Sequence, residues 1–174
     1  MLGAMSEFDE DFVQVRHRAF APLLRARELI VACAPMRSHV NLGRIARMAG
    51  CVAAERLIIC GGGRIDPTIA RDAATQLVIE ERRSLAPVLE RLREEGRIIV
   101  GLEQTERSVN IFDFVFPKKC VLVVGNERTG LLPEDLKLVQ HVVEIPVWGP
   151  PAAYNAATSA IIGMFEYCRQ HPQG

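Results

Sequence analysis

Three short stretches of this chain carry residue types that can do chemistry. Residues 121–127 read Val-Leu-Val-Val-Gly-Asn-Glu, an apolar run that ends abruptly in a glycine, an amide and a carboxylate. Residues 41–47 place Asn41 and Arg47 six positions apart, nearly two turns if the segment is helical. Residues 145–155 form a Pro/Gly-rich stretch that begins Ile145-Pro146 and runs into Asn155. A carboxylate can orient a guanidinium or an amide through a charge-assisted hydrogen bond, and a glycine lets backbone approach a ligand closely. Taken singly, each stretch also has a plain reading: a capped helix with a solvated arginine, a turn, and a connection. Asn41 is the expected N-cap.

The elements around these stretches alternate. Apolar runs at 29–33, 57–60, 97–102, 120–124 and 141–145 are expected strands, with a brief one at 77–79. Residues 41–50, 67–74, 84–95, 133–139 and 155–169 are expected helices. In the third, Ser84 is the expected N-cap and Gly96 the stop. Alternation of this kind predicts an α/β domain with a mostly parallel sheet flanked by helices, and unbroken apolar character puts 121–124 at its centre. In open α/β sheets ligands bind beyond the carboxyl ends of the strands, which is where the three stretches fall. Residues 1–27 read as a helical extension in which Phe12, Val15, Phe20 and Leu23 pack on the body, and 28–174 as the main domain.

A length of 174 residues fits one domain, and 49% hydrophobic residues are enough for a core without disulfides or a structural metal. With 21 basic and 21 acidic residues, a nucleic-acid partner is not signalled by overall charge and would need a local basic face. The five cysteines form no CxxC pair and read as free thiols, chiefly buried, in a reducing cytoplasm. No apolar run is long enough for a membrane span, and the acidic start lacks the order of a signal peptide.

Together the three stretches resemble, in order, the motifs of the SPOUT-type RNA 2′-O-methyltransferases of the SpoU/TrmH group. Asn41, Gly43 and Arg47 meet the pattern N-x-G-x-x-x-R. Gly125, Asn126, Glu127 and Gly130 meet the second motif, and Ile145, Pro146, Gly149 and Asn155 the third. The phrase from Val100 to Thr105 is similar to the family's strand end at the methyl donor. The resemblance covers about residues 28–170. It implies a SPOUT fold with a deep C-terminal trefoil knot near residues 125–155, a homodimer, and S-adenosylmethionine as cofactor. By the same resemblance Leu102, Gly125, Asn126, Ile145, Pro146 and Tyr154 bind the donor. Arg47, Asn41, Glu127 and Asn155 form the catalytic set.

The implied reaction moves a methyl group to a ribose 2′-OH. The sulfonium already activates the methyl, so no metal is expected; the hydroxyl is the partner that must be oriented and deprotonated. Arg47 is the family's group beside that hydroxyl. A guanidinium is a poor base, and a role in holding phosphate and stabilising a developing alkoxide is chemically better. RNA is the expected partner, transfer RNA ahead of ribosomal RNA, with Arg37, His39, Arg44, Arg47 and Arg128 able to meet phosphates. Arg82, Arg83, Arg91 and Arg93 alternate with acids on a helix and read as solvated. The chain departs from the family pattern at Ala153, where serine is usual, at Tyr154, where leucine is usual, and at Ala157. Ala53 stands where a glycine often follows the first-motif helix. The loss of a hydroxyl at Ala153 keeps a second class open, a non-catalytic knotted RNA-binding or assembly module. Gly61-Gly62-Gly63 suggests a dinucleotide enzyme only weakly, since no G-x-G-x-x-G follows a first strand.

Overall fold

A computed structural model describes residues 13–15, 18, 19 and 21–174. In chain order the elements are β1 (Arg27–Cys33), α1 (His39–Cys51), β2 (Ala54–Cys60), α2 (Pro67–Ala70), α3 (Ala73–Gln76), β3 (Ile79–Arg82), α4 (Ala86–Glu94), β4 (Ile98–Leu102), β5 (Val109–Asn110), β6 (Cys120–Val124), α5 (Pro133–Leu136), β7 (His141–Glu144) and α6 (Ala156–Gln170). The strands form one sheet in the order β3-β2-β1-β6-β4-β7-β5. Every neighbouring pair is parallel, so the sheet is more uniform than the expected "mostly parallel".

Side chains alternate across a strand, and here both faces are covered. Leu29, Val31, Cys33, Leu122 and Val124 face α1 and α6, where Ile45, Ala49, Ala160 and Met164 are buried against them. Ile30, Ala32, Val121 and Val123 face α4, through Val88, Leu89 and Leu92. All five residues of β6 are buried, as its unbroken apolar run requires. Register then fixes the site's location. Cys33 and Leu102 both pair with Val124, and Leu102 also pairs with Val143, so β1, β6, β4 and β7 end nearly level. The segments that follow these four strands leave the sheet along one edge.

Several local expectations are corrected. The N-cap of α1 is Ser38, not Asn41. The helix expected at 67–74 breaks in two at Arg71, which has φ 56°; Asp66 caps the first piece by accepting the Thr68 N–H. Ser84 caps nothing: Leu85 precedes α4 without a side-chain cap bond. The brief strand shifts from 77–79 to β3, because Glu80 and Arg82 sit on an edge strand where ion pairs satisfy them. Arg82 and Arg83 therefore lie at the end of β3 and just after it, not on a helix. The two-residue β5 was not anticipated and is too short for any periodic signal. Ala53 adopts φ 52°, a left-handed conformation that explains why glycine suits this position better. Among the described residues of the N-terminal stretch there is no helix before β1; Val15 is exposed and Leu23 half-buried, while Phe12 and Phe20 lie outside the described residues.

Candidate active site

The site is assembled from the start of α1. Ser38 Oγ accepts the Asn41 N–H at 3.2 Å, which satisfies one of the free amides of the first turn. With the cap supplied three residues earlier, the Asn41 side chain is free for another bond. It is only 6% exposed, and its Oδ1 accepts from Asn155 Nδ2 at 3.2 Å. Asn155 in turn caps α6, its Oδ1 accepting the Ala157 N–H at 2.9 Å and the Thr158 N–H at 3.4 Å. One amide pair thus ties together the starts of the helices that carry the first and third motifs.

Glu127 acts one step further back. Its Oε1 accepts the backbone N–H groups of Arg37 (3.1 Å) and Ser38 (3.0 Å), and so fixes the turn that presents Asn41. The expected contact of Glu127 with Arg47 or with the Asn41 side chain is not made. Its Oε2 is buried and has no protein partner. Arg47 is exposed on α1, and among the described residues its guanidinium has no partner.

The loop after β6 is held by its own residues. Asn126 exchanges two backbone hydrogen bonds with Gly130, both 2.9 Å, and its Oδ1 accepts the N–H groups of Arg128 and Thr129. Its Nδ2 donates to Pro35 O. Those bonds make Asn126 a builder of the loop. Gly125 answers a similar demand: a Cβ there would lie 2.5 Å from the Gly130 carbonyl carbon and 2.7 Å from Leu131 N. Gly130 has φ 64°, and a Cβ on it would strike the Glu103 carboxylate. That carboxylate accepts the Leu131 N–H at 2.7 Å and the Gln104 N–H at 3.0 Å, joining the loop after β4 to the loop after β6.

A cleft of about 430 Å³ opens at the same edge, lined by Gln104, Glu144, Ile145, Pro146 and Gly149 among others. A smaller recess of about 100 Å³ adjoins it, bounded by Leu102, Glu103, Ala153, Tyr154 and Ser159. Of the expected donor residues, Ile145 and Pro146 therefore line the cleft, and Leu102 and Tyr154 the adjoining recess; Gly125 and Asn126 line neither. Tyr154 donates its hydroxyl to Pro146 O at 3.3 Å, so it closes the 145–155 loop on itself. Glu144 Oε2 accepts from Ser108 Oγ at 2.7 Å, which sets the loop after β4 against the cleft.

Ser38, Glu103 and Glu144 are the residues that sequence reasoning missed. Ser38 could have been found, since a serine just before an amphipathic helix is a standard cap. Glu103 and Glu144 act across the sheet on partners far along the chain, and no local spacing announces that. Burial pushes the thiols of Cys33, Cys60 and Cys120 up, Cys60 to about 11, which keeps them protonated and unreactive. Cys51, in contrast, is exposed. Among the described residues no three His, Cys, Asp or Glu side chains gather as metal ligands, and no helix is long and apolar enough to cross a membrane.

The sequence profile of the SpoU rRNA Methylase family matches residues 28–165. The chain is 30% identical over 152 residues to a tRNA (guanosine(18)-2'-O)-methyltransferase of Mus musculus, covering 84% of this chain and 10% of that protein. It is 29% identical over 143 residues to a 23S rRNA (uridine(2479)-2'-O)-methyltransferase of Streptomyces viridochromogenes, covering 77% of this chain and 50% of the relative. The chain thus spans a tenth of the first of these relatives and half of the second. Among solved structures, the TrmH/SpoU tRNA modifying enzyme of A. aeolicus superimposes with a TM-score of 0.80 at 25% identity, over 87% of this chain and 79% of that one. The SpoU methyltransferase AviRb of S. viridochromogenes, in complex with AdoMet, superimposes with a TM-score of 0.74 at 26% identity, over 87% and 64%.

Proposed function

Because this chain belongs to the SpoU rRNA Methylase family, we propose that it transfers a methyl group from S-adenosylmethionine to a ribose 2′-OH of RNA, tRNA first and rRNA second. The observation that carries this reading is the Glu127–Ser38–Asn41–Asn155 chain of contacts. It brings the three motifs to one edge of the sheet, and Arg47 lies further along α1, exposed, with no partner for its guanidinium among the described residues. The tRNA and rRNA 2′-O-methyltransferases among its relatives support the substrate class.

The cleft fits the donor. Its volume is in the range of small-molecule sites, apolar Leu102, Ile145 and Pro146 suit an adenine, and the Glu144 carboxylate suits a cation. When bound, S-adenosylmethionine supplies an electrophilic methyl group on a sulfonium. Leu102, Ile145, Pro146 and Tyr154 hold it, and Glu144 contributes its charge. Gly125 and Asn126 act by shaping the loop beside it. Arg47 holds an RNA phosphate and stabilises the alkoxide that develops as the 2′-OH gives its proton to solvent water. Asn41 and Asn155 fix the helix starts, and Glu127 holds the turn ahead of Arg47's helix.

The remaining family features belong to the same proposal. Residues 28–174 are the catalytic unit. A C-terminal trefoil knot is supported by the chain's path: β6 enters between β1 and β4, β7 returns beyond β4, and α6 then comes back onto α1. A homodimer is supported by Phe165, which α6 leaves 66% exposed. Action in the cytoplasm is supported by five free cysteines. Calorimetry with S-adenosylmethionine, run beside transfer of a labelled methyl group into bulk tRNA and rRNA, tests the reading. Donor binding with labelled RNA is expected. No measurable donor affinity would overturn the enzyme in favour of a non-catalytic RNA-binding module.

A further inference from the structure

Trp148 is the chain's one tryptophan and is 80% exposed, a costly placement for its largest apolar side chain. It stands in the loop between β7 and α6, and its neighbours Val147 and Gly149 line the cleft. The loop is built to hold it still. Pro146, Pro150 and Pro151 flank it, the Tyr154 hydroxyl ties the far side to Pro146 O, and Asn155 pins the exit to Asn41. No ring or cation stacks on the indole among the described residues, although four other ring pairs are packed. The loops that leave β1 and β6 at the same edge carry the exposed arginines Arg37 and Arg128, whose guanidinium groups have no protein partner among the described residues.

We propose that Trp148 is a stacking platform for a base of the RNA strand, unstacked beside the nucleotide whose ribose enters the cleft. This inference rests on the function proposed above and adds a residue that selects single-stranded nucleotides. A flat π-face next to unpaired guanidinium groups matches a nucleotide, which offers a ring and a phosphate together. The rigid loop lowers the entropy lost when the ring is covered. A base needs no hydrogen bond from the indole, so the platform accepts any sequence, and the arginines retain the strand by charge.

The sole tryptophan gives a direct readout. Trp148 fluorescence of the full chain would be followed while bulk tRNA, a mixed-sequence single-stranded RNA of about ten nucleotides, or the duplex of that RNA is added, with and without S-adenosylmethionine. Quenching by tRNA and the single strand, but not by the duplex, is expected. Trp148→Ala should weaken RNA binding between about fivefold and a hundredfold, since stacking of one base is worth that much. Trp148→Phe should recover most of the loss, and neither variant should change donor affinity or melting temperature. Unchanged RNA affinity in Trp148→Ala would overturn the proposal, as would quenching by S-adenosylmethionine alone or by raised protein concentration. The last two outcomes would assign the indole to the donor cleft or to a second copy of the chain. If Trp148→Ala binds RNA normally while the native chain still methylates RNA, only this inference fails. Loss of donor binding by the native chain removes the underlying function instead.

Discussion

Two groups of arginines in this molecule are treated in opposite ways. Around β2, β3 and α4, Arg56 pairs with Glu55, Glu80 and Glu95, while Arg82 and Arg91 share Glu80 and Arg97 takes Glu55. Arg37 and Arg128, in the loops that follow β1 and β6, and Arg44 and Arg47, exposed on α1, have no side-chain partner among the described residues. The first group binds the chain to itself. The second is left for something from outside. Formal charge cancels over the whole sequence, so net charge hides a distribution that is neutralised in one place and open in another. Where the cations are unpaired, order comes from contacts that use no basic side chain: the Asn41–Asn155 amide pair and the backbone N–H bonds to the Glu127 and Glu103 carboxylates.

The sharpest way to break the contrast is at Arg47. Arg47→Ala should lower kcat/KM for methyl transfer by about 100- to 1000-fold, the cost of losing one oxyanion-stabilising group, with melting temperature unchanged. A stability loss would mean that the guanidinium belongs to the fold. Next comes an exchange between the groups. Arg56→Ala should cost about 2 kcal/mol in urea unfolding, because its hydrogen-bonded ion pair with Glu80 is largely shielded from water. It should leave the salt dependence of RNA binding alone. Arg44→Ala should do the reverse, reducing the salt slope by about one with little effect on unfolding. Asn155→Ala removes a helix cap and should cost about 1 kcal/mol, with a larger relative fall in turnover than in stability.

The smallest effect is the part of the pH dependence that comes from the paired group. Burial pushes the Glu80 carboxyl up, but the hydrogen bond and charge of Arg56, with Arg91 and Arg82, outweigh it and hold the group below the ordinary glutamate range. A folded-state pKa below the unfolded one stabilises the protein above the unfolded value, and that contribution is lost as pH falls through the folded value. Unfolding midpoints should therefore drop in acid, and Glu80→Gln should flatten the drop. An unaltered profile in that variant would mean the network adds nothing measurable.

The alternation of apolar runs and helical spacing located five of the six strands it predicted, because burial on both faces leaves a signal in the sequence itself; it placed the sixth, the half-exposed edge strand β3, mostly ahead of its observed span. The parallel order with β6 at the centre was legible in the unbroken apolar run at 121–124. Capping was read less well. Asn41 looked like the cap because asparagine is a cap former, and only the fold shows that Ser38 takes that place and frees Asn41 for Asn155. Glu127 was placed in the right site but on the wrong partner, since a carboxylate's choice between a side chain and two backbone amides depends on a turn with no sequence pattern. Gly125 and Asn126 were taken for ligand contacts, and the fold gives them a loop-building role as well, through the close packing of Gly130 and Leu131. Glu103 and Glu144 act over 28 and 36 residues of separation, which one sequence cannot display.

The central claim is that the unpaired Arg47 serves methyl transfer to a ribose hydroxyl. A 2′-O-methyl group blocks alkaline cleavage of the following phosphodiester, so it can be told from a base methyl. The full chain would be incubated with labelled S-adenosylmethionine and bulk tRNA or rRNA, and the RNA then digested in alkali. The account predicts label in alkali-resistant dinucleotides from the native chain, and little from Arg47→Ala or Arg47→Lys at equal donor affinity. Label on a base, or full activity in either Arg47 variant, would contradict it.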